Sequence, residues 1–492
     1  MQKRFWKNKV LVTTLAASMS MLATGCGDDD DKKPTDPPPP PTETARLRVI
    51  HGSPGAPAVD IYAEGQATPL FTNVKYGDTT AYATVPAGTY NVQVRAAGAA
   101  ASSAPVYSTG PLTLSSGAKV SALAAGLLSS TDNAQSFRVL PLAEGFAAPA
   151  DGKARVRIVH AGADAPTVAL DVGDDGTSEV TALARFNDTG AAGVELPAGQ
   201  SLQIGVLAGN TKVTAFTIPE LPSRGEVFVI ATGQLSAKPR ETNGFSLLAA
   251  GVGFIKQNPV VYALHGSPDA PAVDIFAGNA QLVDNLSFGN LSAPLQVPPG
   301  TYNLDFFGYT AGATRPSGSP VATRATPELA AGERYLVVAS GFLSPASDDP
   351  TSSTFELLPF AEGFTADADS LRLRVVHASP DAPIVDVSPL DNNGQVPATA
   401  AFNDVTYRQA SAPEGLELPS LDARVGVAAA AATDRTPAAR FALDTAPFIG
   451  KGVFAVAAGA LSPSEASEAS FRLIAVDTSA SPWAAVTLQP QR

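Results

Sequence analysis

The chain has 492 residues, of which 45% are hydrophobic and 16% charged, with 42 glycines and 42 prolines. At roughly 100 to 200 residues per domain this length predicts several domains, and the glycine and proline content favours turn-rich β structure over helices. The formal net charge of -13 argues against the basic face that binding to phosphate backbones requires, so we expect no nucleic-acid partner.

The first 26 residues predict export. MQKRFWKNK is a basic n-region, and VLVTTLAASMSMLA is an apolar h-region too short and too poorly flanked to span a membrane. LATGC then ends at Cys26, the only cysteine, and resembles the lipobox of bacterial lipoproteins, although Ala23 stands where leucine is preferred. The resemblance implies that residues 1–25 are a signal peptide. It also implies that Cys26 becomes the first mature residue, with a diacylglycerol on its sulfur and an acyl chain such as palmitate on its amine.

Residues 26–45 are predicted to be the lipidated cysteine and a disordered tether. The segment GDDDDKKPTDPPPPPTET is acidic and then proline-rich, with no apolar residue able to pack. Its five consecutive prolines favour polyproline II at ~3.1 Å per residue, so the tether could hold the folded part up to roughly 55 Å from the membrane. A cation site at DDDD is the alternative, but a flexible acidic run is usually solvated.

Internal repetition is the strongest pattern beyond the tether. The chain's four histidines each end an alternating or apolar segment: RLRVIH at His51, RVRIVH at His160, VVYALH at His265 and LRLRVVH at His377. By subtraction they lie 109, 105 and 112 residues apart. This period predicts four similar domains, which we place at 46–150, 151–254, 255–368 and 369–492.

A second level of repetition groups these domains as A-B-A'-B'. Repeats one and three share HGSP, VDI and a V-P-x-G-T-Y-N turn, whereas repeats two and four share FND and ELP. We infer that a tandem pair was duplicated. The links near 147–154, 251–258 and 365–370 are short, which favours fixed neighbours, either in a rod or packed as A-B pairs.

Within each repeat the hydrophobic period is two. Seven or eight short strands per repeat, separated by Gly, Pro and Ser, predict an all-β chain of four tandem Ig-like β-sandwich domains. A small barrel is the alternative, because strand spacing does not show whether a sheet closes. We interpret the alanine run at 428–432 as strand or loop because of its flanking residues and its place in the repeat.

The segments VIHGSPGAPAVDIYAEG, LHGSPDAPAVDIFAGN and VVHASPDAPIVDVSP open repeats one, three and four. They resemble the bacterial domain of unknown function 4397, which occurs in secreted and surface proteins. The resemblance covers most of residues 46–366 and weakens in 371–476. It implies an extracytoplasmic β-rich module with no established activity.

The histidine, serine and aspartate of this motif raise the question of a catalytic triad, which needs a nucleophile bonded to an oriented base. Repeat two keeps His160 but has Gly162 and Ala169 at the serine and aspartate positions. We therefore predict no catalytic residue and interpret the motif as a structural corner between strands. Its residues are His51, Ser53, Asp60, His160, His265, Ser267, Asp274, His377, Ser379 and Asp386.

Metal sites are weakly indicated. One histidine per domain and one cysteine cannot build a Cys/His zinc site within a module. DVGDDG at 171–176 and LDNNG at 390–394 offer oxygens for Ca²⁺, but neither completes an EF-hand loop and both suit hairpin turns. We expect no metal and no cofactor other than the covalent lipid on Cys26.

These observations predict a non-catalytic lipoprotein outside the cytoplasm, anchored to a bacterial membrane, with the outer membrane or cell surface preferred. Its expected role is structural, or binding and adhesion in the cell envelope. The expected partners are the membrane through the lipid, and an envelope glycan or another surface protein. A glycan- or calcium-binding surface module is the alternative function, and an envelope hydrolase is a less favoured one.

Overall fold

The first strand of each repeat is buried on alternate residues where it begins and on both faces where it ends. In the computed structural model, which describes residues 43–347, 349, 353–365, 367–463, 465 and 468–491, the strand Thr44–His51 alternates at first, and its last residues, Ile50 and His51, are both buried. The strands that end at His160 and after His377 show the same change. A strand needs two covering layers to be buried on both faces. The predicted signal peptide and most of the tether lie outside the described residues.

Repeats one and two each form a sandwich of two sheets. The strands of the first sandwich are Thr44–His51 (β1), Val59–Ala63 (β2), Phe71–Val74 (β3), Ala83–Pro86 (β4), Gly88–Ala96 (β5), Tyr107–Leu114 (β6), Lys119–Ala125 (β7) and Arg138–Ala143 (β8). Those of the second are Lys153–His160 (β9), Val168–Val172 (β10), Val180–Leu183 (β11), Val194–Pro197 (β12), Leu202–Ala208 (β13), Thr211–Ile218 (β14), Glu226–Thr232 (β15), Ser246–Ala249 (β16) and Gly253–Ile255 (β17).

Repeats three and four form two further sandwiches of the same kind. The strands of the third are Val260–His265 (β18), Val273–Ala277 (β19), Ala280–Leu286 (β20), Leu295–Gln296 (β21), Asn303–Gly308 (β22), Ala322–Ala325 (β23), Arg334–Ser340 (β24) and Glu356–Ala361 (β25). Those of the fourth are Leu371–Ala378 (β26), Val385–Pro389 (β27), Phe402–Val405 (β28), Leu416–Leu418 (β29), Asp422–Ala429 (β30), Ala439–Asp444 (β31), Gly452–Ala458 (β32), Arg472–Asp477 (β33) and Ala484–Leu488 (β34). A 3-10 turn at Ala446–Phe448 precedes β32.

All four sandwiches share one strand order. In the first, one sheet has the order β4-β1-β7-β8 and the other β3-β2-β5-β6, and the first strand pairs parallel with the seventh. We call these the first-strand sheet and the second-strand sheet. The second and fourth sandwiches add a fifth strand, β17 or β34, to the first-strand sheet. The chain therefore crosses between sheets directly after each histidine.

The prediction of an all-β chain of tandem sandwiches is confirmed, and each repeat contains two separate sheets. The architecture is that of an Ig-like sandwich, whereas the strand order differs from the ABED and CFG order of immunoglobulin constant domains. The alanine run begins at the end of β30 and continues into a turn. In the described part of the chain, no helix is long and apolar enough to cross a bilayer.

The sandwiches are joined in two pairs by their first-strand sheets. Between the first and second sandwiches a buried apolar cluster combines residues of β1, β7 and β8 with residues of β9, β15 and β16, among them Ile50, Leu123, Val159 and Ile230. Between the third and fourth sandwiches the corresponding cluster spans β18, β24, β25, β26, β32 and β33. Each first-strand sheet is thus covered on one face by its own sandwich and on the other by its partner.

The two pairs use equivalent aromatic contacts. Phe146 packs edge-on against Phe228 with ring centroids 5.1 Å apart, and Phe364 packs in the same way against Phe454 at 5.0 Å. Phe146 and Phe364 both close the sequence L-P-x-A-E-G-F, and Phe228 and Phe454 are the third residues of β15 and β32. The repetition of this contact supports the inference that an A-B pair was the unit that was duplicated.

Arginines add a second equivalent contact across each pair. Arg157 Nη1 donates to the Ala143 carbonyl at 2.6 Å, and Arg374 Nη1 donates to the Ala361 carbonyl at 2.7 Å. Both arginines are 6% exposed, so these charge-assisted bonds are buried and fix the register of one sheet on the other.

Polar contacts join the second sandwich to the third. Glu362, which is 2% exposed, binds Lys238 Nζ of the second repeat at 2.7 Å and Arg334 Nε of the third repeat at 2.6 Å. Arg240 Nη1 also donates to the Glu362 carbonyl at 2.8 Å. Separating a buried carboxylate from a cationic partner strongly destabilises a folded protein. Because the partners of Glu362 come from two sandwiches, this junction constrains the angle between the two pairs.

The interface between the third and fourth sandwiches predicts a large loss of stability when a ring at its centre is removed. Phe454→Ala removes a fully buried ring that contacts Phe364 and Trp483, and we expect a loss of about 3–5 kcal/mol. Trp483 fluorescence during urea unfolding measures this loss. Phe254→Ala, in the other pair, is the control that should leave the Trp483 transition in place. An unchanged Trp483 midpoint in Phe454→Ala would contradict this contribution of the interface.

Candidate functional site

The candidate site is the corner motif, the segment that leads from the first strand of each sandwich to the second. Its four histidines are all 0–1% exposed. Each backbone N–H and C=O at the histidine is paired with the turn before the fourth strand, as in His51 N to Asp78 O at 2.9 Å and Gly77 N to His51 O at 2.8 Å. The four rings therefore occupy equivalent closed positions at one end of each sandwich.

Each histidine ring makes the same hydrogen bond. The Nε2 atom lies at hydrogen-bond distance from the carbonyl of the proline six residues later: 3.3 Å for His51 to Pro57, 2.8 Å for His160 to Pro166, 3.0 Å for His265 to Pro271 and 2.9 Å for His377 to Pro383. A carbonyl only accepts, so Nε2 must carry the proton. Nδ1 then accepts from the backbone N–H two residues on in His51 and His160, at 3.4 and 3.3 Å.

Burial keeps these imidazoles neutral. It lowers the pKa of His51, His160, His265 and His377, and it outweighs the hydrogen bond to the proline carbonyl, which acts in the opposite direction. A neutral ring that donates through Nε2 and accepts through Nδ1 is suited to holding two backbone segments together.

The serines of the motif bind a backbone carbonyl. Ser53 Oγ donates to the Gly126 carbonyl at 2.6 Å, Ser267 Oγ to Gly341 at 2.5 Å, and Ser379 Oγ to Gly459 at 2.6 Å. These glycines directly follow the strand that pairs parallel with the first strand. Their φ values are positive, and at Gly126 an added Cβ would lie 2.3 Å from the Ser136 carbonyl, so glycine is required there.

Repeat two achieves the same bond by another route. Its Ala163 backbone N–H donates to the Gly233 carbonyl at 2.9 Å. The other repeats have proline at this position, which lacks an N–H, and there the serine hydroxyl donates instead. Gly162 replaces the serine, and a Cβ at this position would lie 2.7 Å from the ring of Phe245. Ser-Pro and Gly-Ala are therefore two solutions to one requirement.

The aspartates of the motif bind backbone amides rather than the histidines. Asp60 accepts from Asn73 N at 2.7 Å and Gly98 N at 2.9 Å, and Asp274 accepts from Asn285 N at 2.9 Å and Thr310 N at 3.0 Å.

In repeat four, Asp386 accepts from Asp404 N at 2.7 Å and pairs with Arg435 Nη1 at 2.6 Å. Asn73, Asn285 and Asp404 all have positive φ. The carboxylate therefore stabilises a left-handed residue within the edge strand of the second-strand sheet.

Sequence reasoning missed a second aspartate. Asp269 accepts from Leu343 N and Ser344 N, both at 2.8 Å, and Asp381 accepts from Leu461 N and Ser462 N at 2.8 and 2.7 Å. Asp164 makes the equivalent pair of bonds in repeat two. Burial alone would raise the pKa of Asp164, but these hydrogen bonds outweigh it and the pKa is lowered. The signal was the aspartate shared by ADAP and SPDAP; repeat one has Gly55 there.

The structure does not bring the three predicted residue types together as a triad. The Ser53 hydroxyl points to Gly126, only the Ser53 backbone N–H approaches the His51 ring, and both carboxylate oxygens of Asp60 accept from amides. Within the described ranges no hydrogen bond joins the serine hydroxyl to the histidine ring. The arrangement instead holds backbone segments together: the ring bonds the segment that follows it, the serine bonds the turn after the seventh strand, and the aspartate bonds the second-strand sheet.

The two loops considered for calcium are closed by their own amides. Asp171 accepts from Asp175 N at 3.1 Å and Gly176 N at 2.7 Å, and Asp391 accepts from Asn393 N at 2.8 Å and Gln395 N at 2.9 Å. Among the described residues, no three His, Cys, Asp or Glu side chains converge as metal ligands would.

The corner also contacts the partner sandwich. Thr232 Oγ1 of the second sandwich donates to the Gly52 carbonyl of the first at 2.6 Å, and Ser340 Oγ of the third donates to the Ala378 carbonyl of the fourth at 2.8 Å. The donors occupy the same place in β15 and β24, and the acceptors directly follow His51 and His377. The direction of the bond is reversed between the two pairs, as expected where two similar sheets face each other about a pseudo-twofold axis.

The four buried histidines predict a pH-dependent stability. Their pKa values are lowered in the fold, so the unfolded chain binds more protons below its own histidine pKa of about 6.5. Stability is therefore full above this pH and falls as the pH drops through it, by at most about 1.4 kcal/mol per pH unit for each histidine. Urea midpoints from pH 8 to 5 measure the effect. A midpoint that is constant below pH 6.5 would contradict it.

The exchange between Ser-Pro and Gly-Ala predicts a rescue. Ser379→Ala leaves the buried Gly459 carbonyl without its donor and should cost about 1–3 kcal/mol. Adding Pro380→Ala supplies a backbone N–H, as Ala163 does in repeat two, and should recover part of the loss. Denaturant unfolding of the single and double variants measures both. Equal stability of the two variants, or no loss in the first, would contradict this account.

Comparison with known proteins gives one family assignment. The domain of unknown function DUF4397 matches residues 45–171 and 259–388, whereas no curated protein matches the chain significantly. Among solved structures, the Bacillus anthracis TIE protein aligns at 9% identity over 82% of this chain and 66% of its own, with a TM-score of 0.14. The two matched segments together cover more than half of the sequence, and the chain therefore belongs to the DUF4397 family.

Proposed function

We propose that this chain is a non-catalytic lipoprotein of the bacterial cell envelope, anchored to the membrane through Cys26, that presents two rigid sandwich pairs for binding or adhesion. The observation that carries the proposal is that the histidine Nε2 atoms, the serine hydroxyls and the aspartate carboxylates of the corner motif are all engaged in hydrogen bonds. Ring, hydroxyl and carboxylate each hold backbone in place, which supports a structural role for the ten motif residues.

The paired arrangement supports a binding role. A first-strand sheet covered on both faces has little freedom to move, and the buried Glu362 junction fixes one pair against the next. Loops and grooves at the edges of such a rigid support are the usual sites of recognition. The proposed partners are an envelope glycan or another surface protein, and the membrane is contacted through the lipid.

Two alternatives are less well supported. A hydrolase would need the serine hydroxyl to be activated by the histidine, whereas Ser53 donates to a carbonyl and His51 is fully buried. A calcium module would need free carboxylates, whereas Asp171 and Asp391 already accept two amides each. A glycan-binding module is compatible with the same anchored architecture.

Lipid attachment at Cys26 is the testable core of the proposal. In cells fed an alkyne analogue of palmitate, we expect the full chain to be labelled and to sediment with membranes. Cys26→Ser should lose the label, because the chain has no other cysteine. Ser18→Ala, which keeps the leader apolar, is the control and should still be labelled. An unlabelled wild-type chain, or a label that survives Cys26→Ser, would reject the anchor. If the wild-type chain is labelled, density-gradient separation of the membranes assigns it to the inner or the outer membrane.

A further inference from the structure

A groove lies between the third and fourth sandwiches. It has a volume of about 630 Å³ and is lined by β20, by the turn at 289–293 and by the segment from Trp483 to Thr487. This volume falls in the range of about 300–1,000 Å³ that ligand sites occupy. Its turn is anchored to the corner, because His265 N donates to the Asn290 carbonyl at 3.1 Å and Gly289 N donates to the His265 carbonyl at 2.8 Å.

The first pair fills the corresponding space with an aromatic ring. Phe254 pairs with Leu248 across β16 and β17, and Thr487 pairs with Ile474 at the equivalent place across β33 and β34. A Cβ built on Gly77 would lie 2.5 Å from the Phe254 ring, whereas one built on the equivalent Gly289 would lie 3.6 Å from the Thr487 hydroxyl. Threonine in place of phenylalanine therefore leaves room in the second pair.

The lining of the groove is polar but almost uncharged. Asn285, Asn290 and Thr487 are exposed, and their side chains have no hydrogen-bond partner among the described residues. Asp284 is the one charged residue in the lining, and neither lysine nor arginine contributes to it. Such a surface offers amide and hydroxyl groups to a neutral ligand and disfavours phosphate or another anion.

Trp483 adds a buried donor without an acceptor. The side chain is 5% exposed and stacks on Tyr262 with ring centroids 4.3 Å apart, and it also lines the groove. Its indole N–H has no partner in the described part of the chain. The buried N–H is out of reach of a ligand in the groove, and Trp483 contributes a fixed aromatic wall instead.

We propose that this groove binds a neutral oligosaccharide, with Asn285, Asn290 and Thr487 bonding its hydroxyls and the Trp483 side chain forming one wall of the site. The ligand class follows from the many neutral donors and acceptors, the absence of cationic side chains from the lining, and the aromatic residue beside them. The inference deepens the proposed envelope-binding function and rests on it.

The test uses the mature full chain purified in detergent, in which Trp483 is the only tryptophan, because Trp6 lies in the predicted signal peptide. Chitotriose, cellotriose, maltotriose and mannotriose are titrated separately, with tryptophan fluorescence and calorimetry as readouts. We expect at least one to bind with a change in Trp483 emission. Thr487→Phe, which places the ring of the first pair in the groove, should weaken that binding at least tenfold.

Val486→Phe is the matched control. Val486 is exposed and neighbours Thr487 on β34, so its side chain points to the opposite face of the strand, and binding should be unchanged. If Thr487→Phe lowers the melting temperature, Asn290→Ala on the turn replaces it and should weaken binding by at least threefold. Equal affinity of Thr487→Phe or Asn290→Ala and wild type would overturn the site.

Failure of all four sugars to bind would overturn the ligand class. Binding of an extended peptide to the groove in place of a sugar would also overturn it. These outcomes are independent of the labelling of Cys26, because the titration uses purified protein. A chain that is lipidated but binds no saccharide keeps the proposed anchoring and loses the groove. A chain that binds saccharide but carries no lipid keeps the groove and loses the anchoring.

Discussion

Apolar packing between first-strand sheets is the interaction on which the rest of this molecule depends. Each of these sheets packs one face into the core of its own sandwich and the other into an apolar cluster shared with its partner sheet, so Ile50, Val159, Leu264 and Val376 are all fully buried. The corner motif lies at the end of these strands and is also bound by the partner sandwich, as the bond from Thr232 to the Gly52 carbonyl illustrates. The pair, rather than the single sandwich, is therefore the structural unit, and the junction at Glu362 links one unit to the next.

Within each sandwich, the corner motif supplies a hydrogen-bond donor that the backbone requires. The chain must leave the seventh strand through a left-handed glycine, and the carbonyl of that glycine is buried and needs a donor. A serine hydroxyl meets the need where proline has removed the backbone N–H, and the backbone N–H meets it where alanine stands instead. Because either solution suffices, the serine differs between repeats while the histidine, which spans the corner to a proline carbonyl in all four, does not.

The sequence was sufficient to predict the all-β class and the tandem sandwiches, because period-two patterning and the recurring histidines are local signals. The partner of each sheet was not predictable in the same way. A strand buried on two faces has a continuous apolar run, which indicates burial but does not identify the surface that covers the strand. The sequence therefore did not distinguish a rod of four sandwiches from two packed pairs. Asp164, Asp269 and Asp381 were overlooked because their partners lie more than seventy residues away. Repeat two, which keeps the histidine without the serine and aspartate, disfavoured the triad interpretation on sequence grounds, and the prediction of no catalytic residue stays a prediction.

Duplication of a rigid pair explains how a binding site could arise beside a motif that has no freedom to change. The corner residues serve the backbone in every copy, and altering them would unsettle both sandwiches of a pair. The fifth strand of the first-strand sheet contains none of the corner residues. It is an edge strand, and it contacts the partner sandwich at the turn before that sandwich's fourth strand. There the first pair has Phe254 packed on Gly77 and the second has Thr487 beside Gly289, a difference that changes the surface while leaving the equivalent contacts of Phe146 with Phe228 and of Phe364 with Phe454 intact. Specificity in such a chain is therefore expected to vary at the fifth strand and the neighbouring turn, and the motif by which the domain is recognised is the part least suited to carry it.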